Sequence, residues 1–273
     1  IHLRKTSKMS IKNGENGNLS LPERHGRILE LLHQQGSVSV TALAELLKVS
    51  EVTIRKDLSF LEAQKKLYRA HGSAILISPY ISDRHVNEKE KQSVGEKRAI
   101  GLAAASLITQ DDSIIIASGT TMLFFAREIE TRGKLTVITA SVPVTSILSQ
   151  NRNIDVVQLG GVVRNSSVSV VGHFAEEMLK HFSCSKLYLG VDGIDPDFGY
   201  TTTNMMEAKL NRVMMAAAEK TIILADGSKF GRRGFSKICD LEDVDQIITD
   251  RTAQTRYLNE IRDRGIEVTV IDA

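Results

Sequence analysis

The chain has 273 residues, of which 42% are hydrophobic and 25% are charged, and its formal net charge is +2. These values are typical of a globular protein with one large domain or two ordinary ones. No apolar run approaches the ~18 residues that a membrane-spanning helix requires, so no membrane association is expected. The two cysteines, Cys184 and Cys239, lie far apart and away from any metal-ligand spacing. They indicate reduced thiols in a cytoplasmic protein that holds no metal and no other cofactor.

The charge is unevenly distributed along the chain. Residues 1–78 contain 12 lysines and arginines against 7 acidic residues, whereas the remainder contains 23 against 26. A basic N-terminal part is typical of contact with the phosphate backbone of a nucleic acid. Residues 1–19 are polar and lack the apolar core of a signal peptide, and we expect them to form a disordered lead.

Residues 20–77 have the pattern of a winged helix-turn-helix. Pro22 suits the first turn of a helix, and Thr41 and Ser50 are placed to cap the two helices that follow. The first of those two helices is predicted to face the core with Leu43, Leu46 and Leu47.

The second of those helices is predicted to read DNA. Its apolar residues stand at i, i+4 and i+7 and therefore share one face: Ile54, Leu58 and Leu61. Thr53, Arg55 and Lys56 lie away from that face, and a polar, cationic face backed by an apolar one is what a helix in the major groove needs. Asp57 is expected to orient Arg55 or Lys56, since phosphates repel a carboxylate.

Residues 67–76 predict two short strands around Gly72. They form a wing on which Arg69 and His71 are placed to touch phosphate or the minor groove. The predicted DNA contacts are therefore Ser50, Thr53, Arg55, Lys56, Arg69 and His71. A winged helix that binds only another protein is the alternative, and it predicts no retention on duplex DNA.

The rest of the chain predicts a second, larger domain. Residues 78–92 show little periodicity and are interpreted as a linker. Ser93 and Glu96 have the spacing of a capping box, which would open a helix at the start of a domain over residues 93–273. Short β-branched runs then alternate with helical stretches, which predicts an α/β domain with a mostly parallel sheet. The predicted strands are 113–117, 135–139, 155–159, 186–191, 221–225, 246–249 and 267–271.

Ligands of such sheets usually bind beyond the C-terminal strand ends. After the first strand, a glycine and three hydroxyl residues open a helix, and they offer free N–H groups and hydroxyls to a phosphate: Ser118, Gly119, Thr120 and Thr121. The lysine of a P-loop is missing. Three further strand ends and one helix add candidate ligands for a small polyol phosphate: Gly160, Gly161, Arg164, Asp192, Gly193, Glu207 and Lys229. Taken singly, each loop could also be an ordinary capped turn.

The spacing from Glu23 to Gly72 resembles the DNA-binding signature of the DeoR family of bacterial sugar-metabolism repressors. The resemblance is carried by the runs Glu23-Arg24-His25-Gly26-Arg27-Ile28-Leu29, Val52-Thr53-Ile54-Arg55-Lys56-Asp57-Leu58 and Arg69-Ala70-His71-Gly72. From about Arg84 to the end, the chain resembles the sensor domain of that family. Such sensors are similar in fold to ribose-5-phosphate isomerase and bind phosphorylated sugars as inducers.

The resemblance implies a repressor of a carbohydrate-utilisation operon. It implies operator DNA and a phosphorylated sugar as partners, and a homodimer or homotetramer as the assembly. It places the loop at residues 118–121 at the phosphate, and the following residues around the sugar: Gly160, Gly161, Asp192, Gly193, Glu207 and Lys229. Many members have an aspartate where this chain has Ala117, so a carboxylate role there is in doubt.

Two other interpretations concern the acidic residues. Asp192, Asp195 and Glu207 resemble the acid/base cluster of the isomerase, but residues 196–204 contain no lysine to stabilise an enediolate. No enzyme activity and no catalytic residue are therefore predicted. A Mg²⁺ or Ca²⁺ site at Asp192, Asp195 and Asp226 is the second alternative, but their spacing sets up no coordination sphere, so hydroxyl binding is favoured.

Overall fold

The computed structural model describes residues 19–272 except residues 36, 65, 71, 77–85 and 132. The N-terminal part holds three helices, α1 (Leu21–Gln35), α2 (Val40–Leu47) and α3 (Glu51–Ala63). It also holds three short strands, β1 (Ser37–Ser39), β2 (Leu67–Ala70) and β3 (Ser73–Leu76), which form an antiparallel sheet in the order β1-β3-β2. Apolar side chains of all three helices pack into one core with this sheet, as a winged helix requires.

Of the two predicted helix caps, one is wrong and the other is confirmed. Ser39 caps α2, because its Oγ accepts the backbone N–H of Ala42 at 3.1 Å. The prediction of Thr41 as this cap is wrong, since α2 begins directly after Ser39 and Thr41 lies in its first turn. Ser50 caps α3 as predicted, with Oγ accepting the N–H of Thr53 at 3.2 Å.

Only two of the three leucines predicted to face the core from α2 are buried. Leu43 and Leu47, which are one turn apart, are buried against α3 and β1. Leu46 is 59% exposed, so the prediction that it faces inward is wrong. A residue next to Leu47 in a helix is rotated by about 100° away from it.

The larger domain is built on seven strands. They are β4 (Ser113–Ile116), β5 (Leu135–Thr139), β6 (Ile154–Gln158), β9 (Cys184–Leu189), β12 (Ala218–Leu224), β14 (Gln246–Asp250) and β15 (Glu267–Ile271). They pair in parallel in the order β15-β14-β12-β9-β4-β5-β6. Each corresponds to one of the predicted β-branched runs, and the predicted α/β fold with a parallel sheet is confirmed.

Helices cover both faces of this sheet, so that strand residues alternate between two cores. Ile114 and Ile116 face one core and Ile115 faces the other. The first core is covered by α5 (Val94–Ala105), α6 (Thr120–Arg127) and α7 (Val142–Leu148). The second is covered by α8 (His173–Leu179), α9 (Met205–Ala216) and α10 (Thr255–Asp263). The result is a three-layer α/β/α domain.

The start of α5 does not follow the predicted capping box. Ser93 has a φ of +48°, and its side chain makes no capping hydrogen bond. That backbone conformation directs the side chain away from the first turn, so the prediction is wrong although the helix itself begins where it was expected. Residue Gly101 lets α5 pack on α6, because a Cβ there would lie 2.8 Å from the backbone nitrogen of Phe125.

Small antiparallel units, which the sequence did not predict, extend beyond the C-terminal strand ends. One is the hairpin of β7 (Val162–Arg164) and β8 (Ser169–Val171). The other joins β10 (Gly193–Asp195), β11 (Gly199–Thr202) and β13 (Ser236–Cys239) in that order. The short helix α4 (Val86–Glu90) lies within the predicted linker.

Among the described residues, the side chain of Arg256 connects the two parts of the molecule. Arg256 in α10 donates a hydrogen bond to Oγ of Ser73 in β3, and Ser73 is buried. Throughout the stretches that the structure describes, no helix is both long and apolar enough to cross a lipid bilayer.

Candidate functional site

The solvent side of α3 carries the predicted reading residues. Arg55 and Lys56 are exposed, and Thr53 is partly exposed. The Oγ1 atom of Thr53 lies 3.0 Å from Oγ of the capping Ser50, so the first turn is fixed. Arg55 pairs with Glu51 one turn earlier, at 2.5 Å. This surface pair holds the guanidinium near the helix and leaves it accessible to an external anion.

Asp57 has a different role from the predicted one. Its carboxylate is buried and bonded to α1: Oδ2 lies 2.6 Å from Nε of Arg24, and Oδ1 lies 3.1 Å from Nε2 of His25. Burial alone would raise the pKa of Asp57, but the hydrogen bonds from Arg24 and His25 lower it below the usual value. The prediction that Asp57 orients Arg55 or Lys56 is wrong, because in a helix residues one and two positions apart do not face each other. Asp57 instead fixes α3 against α1.

The wing residue Arg69 is held by α3. Its backbone N–H and its Nε donate to the carboxylate of Glu62 at 2.9 and 2.7 Å, and Nη1 donates to Oγ of Ser59 at 2.8 Å. The Arg69 side chain remains 43% exposed. His71, the other predicted wing contact, lies outside the described residues.

A cleft opens at the C-terminal ends of β4, β9 and β12, which are neighbours in the sheet. Its volume, including the open mouth, is about 670 Å³. Seven of the predicted effector residues line it: Ser118, Gly119, Thr120, Thr121, Asp192, Glu207 and Lys229. Loops that follow adjacent parallel strands meet at one edge of a sheet, which is why these side chains converge.

One wall of the cleft is the N-terminal end of α6. Gly119 is the N-cap of this helix and has a φ of +127°, a backbone conformation that residues other than glycine rarely adopt. No side chain caps the first turn, so its backbone N–H groups remain available. The hydroxyls of Thr120 and Thr121 add donors beside them. Together with the positive end of the helix dipole, this wall suits an anion.

The cleft also contains a negatively charged group, the carboxylate of Asp192. Its Oδ1 lies 2.9 Å from Nζ of Lys89, and its Oδ2 accepts from Oγ1 of Thr202 and the N–H of Thr203, each at 3.2 Å. Burial alone would raise the pKa of Asp192, but the charges of Lys89 and Lys229 lower it below the usual value. Asp192 is therefore a carboxylate that can accept hydrogen bonds from a ligand.

Glu207 reaches the cleft from the first turn of α9. Asn204 caps this helix by accepting the N–H groups of Met206 and Glu207. The Glu207 carboxylate lies 2.5 Å from Nη1 of Arg164. Arg164 itself does not line the cleft, since its guanidinium is bonded to Glu207 and to the hydroxyls of Ser166 and Ser167. Arg164 therefore orients Glu207 from outside the cleft.

The structure does not bring the three other predicted effector residues to the cleft. Gly160 and Gly161 follow β6, which is the edge strand and lies two positions away from β4. At the ~4.8 Å spacing of strands, that places them roughly 10 Å to the side. Gly193 lies in β10, where a Cβ would be 2.4 Å from the carbonyl oxygen of Arg232. Its role is close backbone packing.

The other acidic residues are used within the fold. Asp195 is buried, accepts from Nη2 of Arg233 at 2.8 Å and accepts the N–H groups of Asp197 and Phe198. Asp226 caps the turn after β12 through the N–H of Ser228. Within the described ranges, no group of three or more His, Cys, Asp or Glu residues is placed to hold a metal ion. Of the three acidic residues in the enzyme interpretation, Asp192 and Glu207 line the cleft and Asp195 does not.

Several lining residues were missed from the sequence. They are Val86, Lys89, Ser166, Ser167, Gly190, Val191, Thr202, Thr203 and Asn211. The hydroxyl-rich runs at 166–169 and 201–203 carried a signal of the same kind as the Ser118 loop. Lys89 carried no such sequence signal, because it lies in a stretch without periodicity.

Comparison with known proteins assigns both parts of the chain. Residues 24–80 match the DeoR-like helix-turn-helix domain, and residues 92–251 match the DeoR C terminal sensor domain. An uncharacterized HTH-type transcriptional regulator, YulB of Bacillus subtilis (strain 168), is 36% identical over 91% of this chain and 96% of its own. The putative aga operon transcriptional repressor of Escherichia coli O157:H7 is 36% identical over 94% of this chain and 97% of its own.

Among solved structures, a partial match is ribose 5-phosphate isomerase A from Methanocaldococcus jannaschii. It aligns with a TM-score of 0.36 and 16% identity, over 53% of this chain and 55% of the isomerase. The two domain matches and the two relatives, which align over nearly their whole length, decide the assignment. The chain belongs to the DeoR family of DNA-binding transcriptional regulators, and it is a regulator, not an enzyme.

Proposed function

We propose that the chain represses a carbohydrate-utilisation operon and leaves its operator when a phosphorylated sugar occupies the cleft. The observation that carries this proposal is the cleft itself, in which an uncapped helix N-terminus and lysines face carboxylates. Two relatives are named as repressors, the putative aga operon transcriptional repressor and the lactose phosphotransferase system repressor of Staphylococcus epidermidis, the latter 31% identical over 231 residues. The second name links a relative to the use of a sugar.

The phosphate end of the ligand fits the α6 wall. Backbone N–H groups at a helix start and neighbouring hydroxyls are the donors that phosphate oxygens accept. Lys229 lines the same cleft, and its ammonium has no hydrogen-bond or ion-pair partner in the part of the chain that the structure describes. It adds the positive charge that a dianionic phosphate requires.

The sugar end fits the acidic side of the cleft. Asp192, Glu207 and Asn211 present oxygens that accept hydrogen bonds from hydroxyl groups. Without a ligand, Asp192 and Glu207 are each paired with one cation, Lys89 and Arg164 respectively. This arrangement favours a polyol phosphate over a simple anion.

Operator binding is proposed to use paired copies of the chain. A single α3 reaches few base pairs, so specificity needs two half-sites and two copies, in a homodimer or homotetramer. The sensor domain offers exposed apolar side chains for self-association, among them Phe174 at 75% and Phe235 at 70% exposure. The DNA contacts would be Ser50, Thr53, Arg55, Lys56, Arg69 and His71.

The DNA half of the proposal is tested by replacing one arginine. Arg55→Ala should weaken retention of DNA fragments that the wild-type protein selects from its own genome by roughly 10- to 100-fold, because a lost base contact costs about 1–3 kcal/mol. Arg27→Ala is the matched control, since Arg27 is 53% exposed on α1 and pairs with Glu30 in the same way. Equal effects of the two substitutions would contradict the assignment of α3.

The effector half is tested by a thermal-shift screen of sugar phosphates against the corresponding free sugars. At least one phosphorylated sugar should raise the unfolding temperature while its free sugar does not. Equal shifts with both members of every pair would contradict a phosphate site at α6.

A further inference from the structure

Helix α4 is a wall of the cleft as well as part of the connection between the two domains. Val86 and Lys89, one turn apart on α4, both line the cleft. Residues 77–85 join this helix to β3 in the wing. The first described element after the DNA-binding domain therefore touches the same space as the proposed effector.

Both ends of α4 are fastened to the sensor domain. The backbone N–H of Val86 donates to the carbonyl oxygen of Ser166, in the β7–β8 loop, at 2.7 Å. At the other end, Glu90 pairs with Arg127 of α6 at 2.7 Å. The helix is thus held by the two structures that form the cleft on either side of it.

A buried lysine of α5 holds the C-terminal end of α4. Lys97 of α5 is only 3% exposed, and its Nζ donates to the carbonyl oxygens of Lys89 and Gln92, each at 2.6 Å. These carbonyls lie at and just after the C-terminal end of α4, where helices lack intrahelical partners. These two bonds hold the backbone of Lys89 in the present arrangement, in which its side chain reaches into the cleft.

In this structure the partner of Lys89 is Asp192. The two charged groups are 2.9 Å apart and half-buried, with 26% and 16% of their side chains exposed. A phosphate that enters beside α6 carries more negative charge than one carboxylate and competes for the same ammonium. A sugar hydroxyl that donates to Asp192 weakens its hold on Lys89 further.

We propose that Lys89 is an effector-contact residue and that its exchange of partners, from Asp192 to the effector's anion, is passed to the DNA-binding domain through α4. This inference rests on the proposed function of the cleft. The ion pair with Asp192 and the contact with the anion are alternatives for one ammonium. An effector therefore stabilises the position of α4 in which Lys89 faces the anion, and α4 is the first described element after β3 of the wing.

The test compares Lys89→Met with Lys91→Met, using hydrogen–deuterium exchange of the full chain with and without inorganic phosphate. Lys91 is exposed and does not line the cleft. In the wild type and in Lys91→Met, phosphate should slow exchange both at residues 120–123 and at residues 86–93. In Lys89→Met, the effect at 120–123 should remain but need about tenfold more phosphate, and the effect at 86–93 should be lost. Lys89→Arg should restore both.

The outcomes separate the inference from the proposal beneath it. If phosphate protects residues 120–123 of the wild type but not 86–93, or if Lys89→Met behaves as the wild type, the role of Lys89 is refuted and the phosphate site stands. If phosphate changes exchange at neither segment of the wild type, the phosphate site fails, and the role of Lys89 fails with it.

Discussion

Two aspartates, one in each domain, show how similar ion pairs serve different purposes. Asp57 lies between α1 and α3 with 4% of its side chain exposed and takes hydrogen bonds from Arg24 and His25. Asp192 lies on the cleft wall with 16% exposed and takes its charge partner, Lys89, from a short helix at the start of the domain. In both, nearby cations lower the carboxyl pKa against the opposing effect of burial.

The difference lies in what else could take the place of each partner. Asp57 is only 3% exposed and His25 8%, so water and ligands have little access to the carboxylate, and the pair acts as a fixed link. Around Asp192 the pair borders an open cleft, where water or a ligand can replace either member. A buried pair without an opening holds a fold together, and a pair at an opening can change with occupancy.

The largest effect is expected for Asp57→Ala. It leaves the mostly covered guanidinium of Arg24, whose side chain is 11% exposed, without its counter-charge, which should cost about 3 kcal/mol and unfold the DNA-binding domain first. Denaturant unfolding followed by circular dichroism, with DNA retention in parallel, measures this. Glu45→Ala is the control, since Glu45 is exposed on α2 of the same domain. A loss below about 1 kcal/mol would contradict the role of this pair.

The same pair predicts acid sensitivity with a definite sign. The folded-state pKa of Asp57 lies below its unfolded value, so its stabilising effect is complete above the unfolded pKa of about 3.9 and disappears as the pH falls through the folded value. The difference in stability between the wild type and Asp57→Ala should therefore shrink in acid. A difference that grows as the pH falls below about 4 would contradict it.

A smaller effect on folding but a clear effect on response is expected for Asp192→Asn. The Lys89 side chain is 26% exposed, so water can solvate its charge. The loss of stability should therefore stay below about 1 kcal/mol. The amide can no longer act as the charged acceptor of a sugar hydroxyl, so the sugar phosphate found by thermal shift should bind at least about tenfold more weakly. DNA retention without effector should be unchanged. Normal effector affinity in this variant would remove Asp192 from the site.

The smallest effect is expected for Lys97, which holds the C-terminal end of α4. Burial lowers the pKa of Lys97 to about 8, below that of an unfolded lysine, so the unfolded chain binds this proton more tightly. Stability should therefore rise relative to Lys97→Met as the pH increases from 7 to 8.5, by about 1 kcal/mol. Thermal unfolding at both pH values measures it, with Lys91→Met as the control. A difference that stays constant or falls would mean that the Lys97 charge is not buried.

Much of the fold could be predicted from local patterns. The β-branched runs located all seven strands of the parallel sheet, because a strand buried on both faces must be apolar throughout. The hydroxyl at Ser50 predicted its cap correctly, whereas the predicted cap of α2, Thr41, lies two residues after the observed cap Ser39, because residue type alone does not fix where a helix begins.

The features that depend on strand order or on distant partners could not be predicted. Gly160 and Gly161 have the composition of a ligand loop, but β6 is an edge strand, and sequence does not reveal that order. Asp57 finds its partner Arg24 33 residues away. Lys89 reaches Asp192 across 103 residues from a helix of five. Periodicity detects neither long-range pairing.

The most direct test of the central claim is release of DNA by a ligand in the cleft. Fluorescence anisotropy of a labelled DNA fragment selected by the wild-type protein would be followed while a sugar phosphate from the thermal-shift screen is added at constant ionic strength. The wild type should release the fragment, its free sugar should leave the fragment bound, and Asp192→Asn should need at least about tenfold more ligand. Release that is identical in Asp192→Asn, or wild-type DNA that stays bound while the ligand is saturating, would contradict the account.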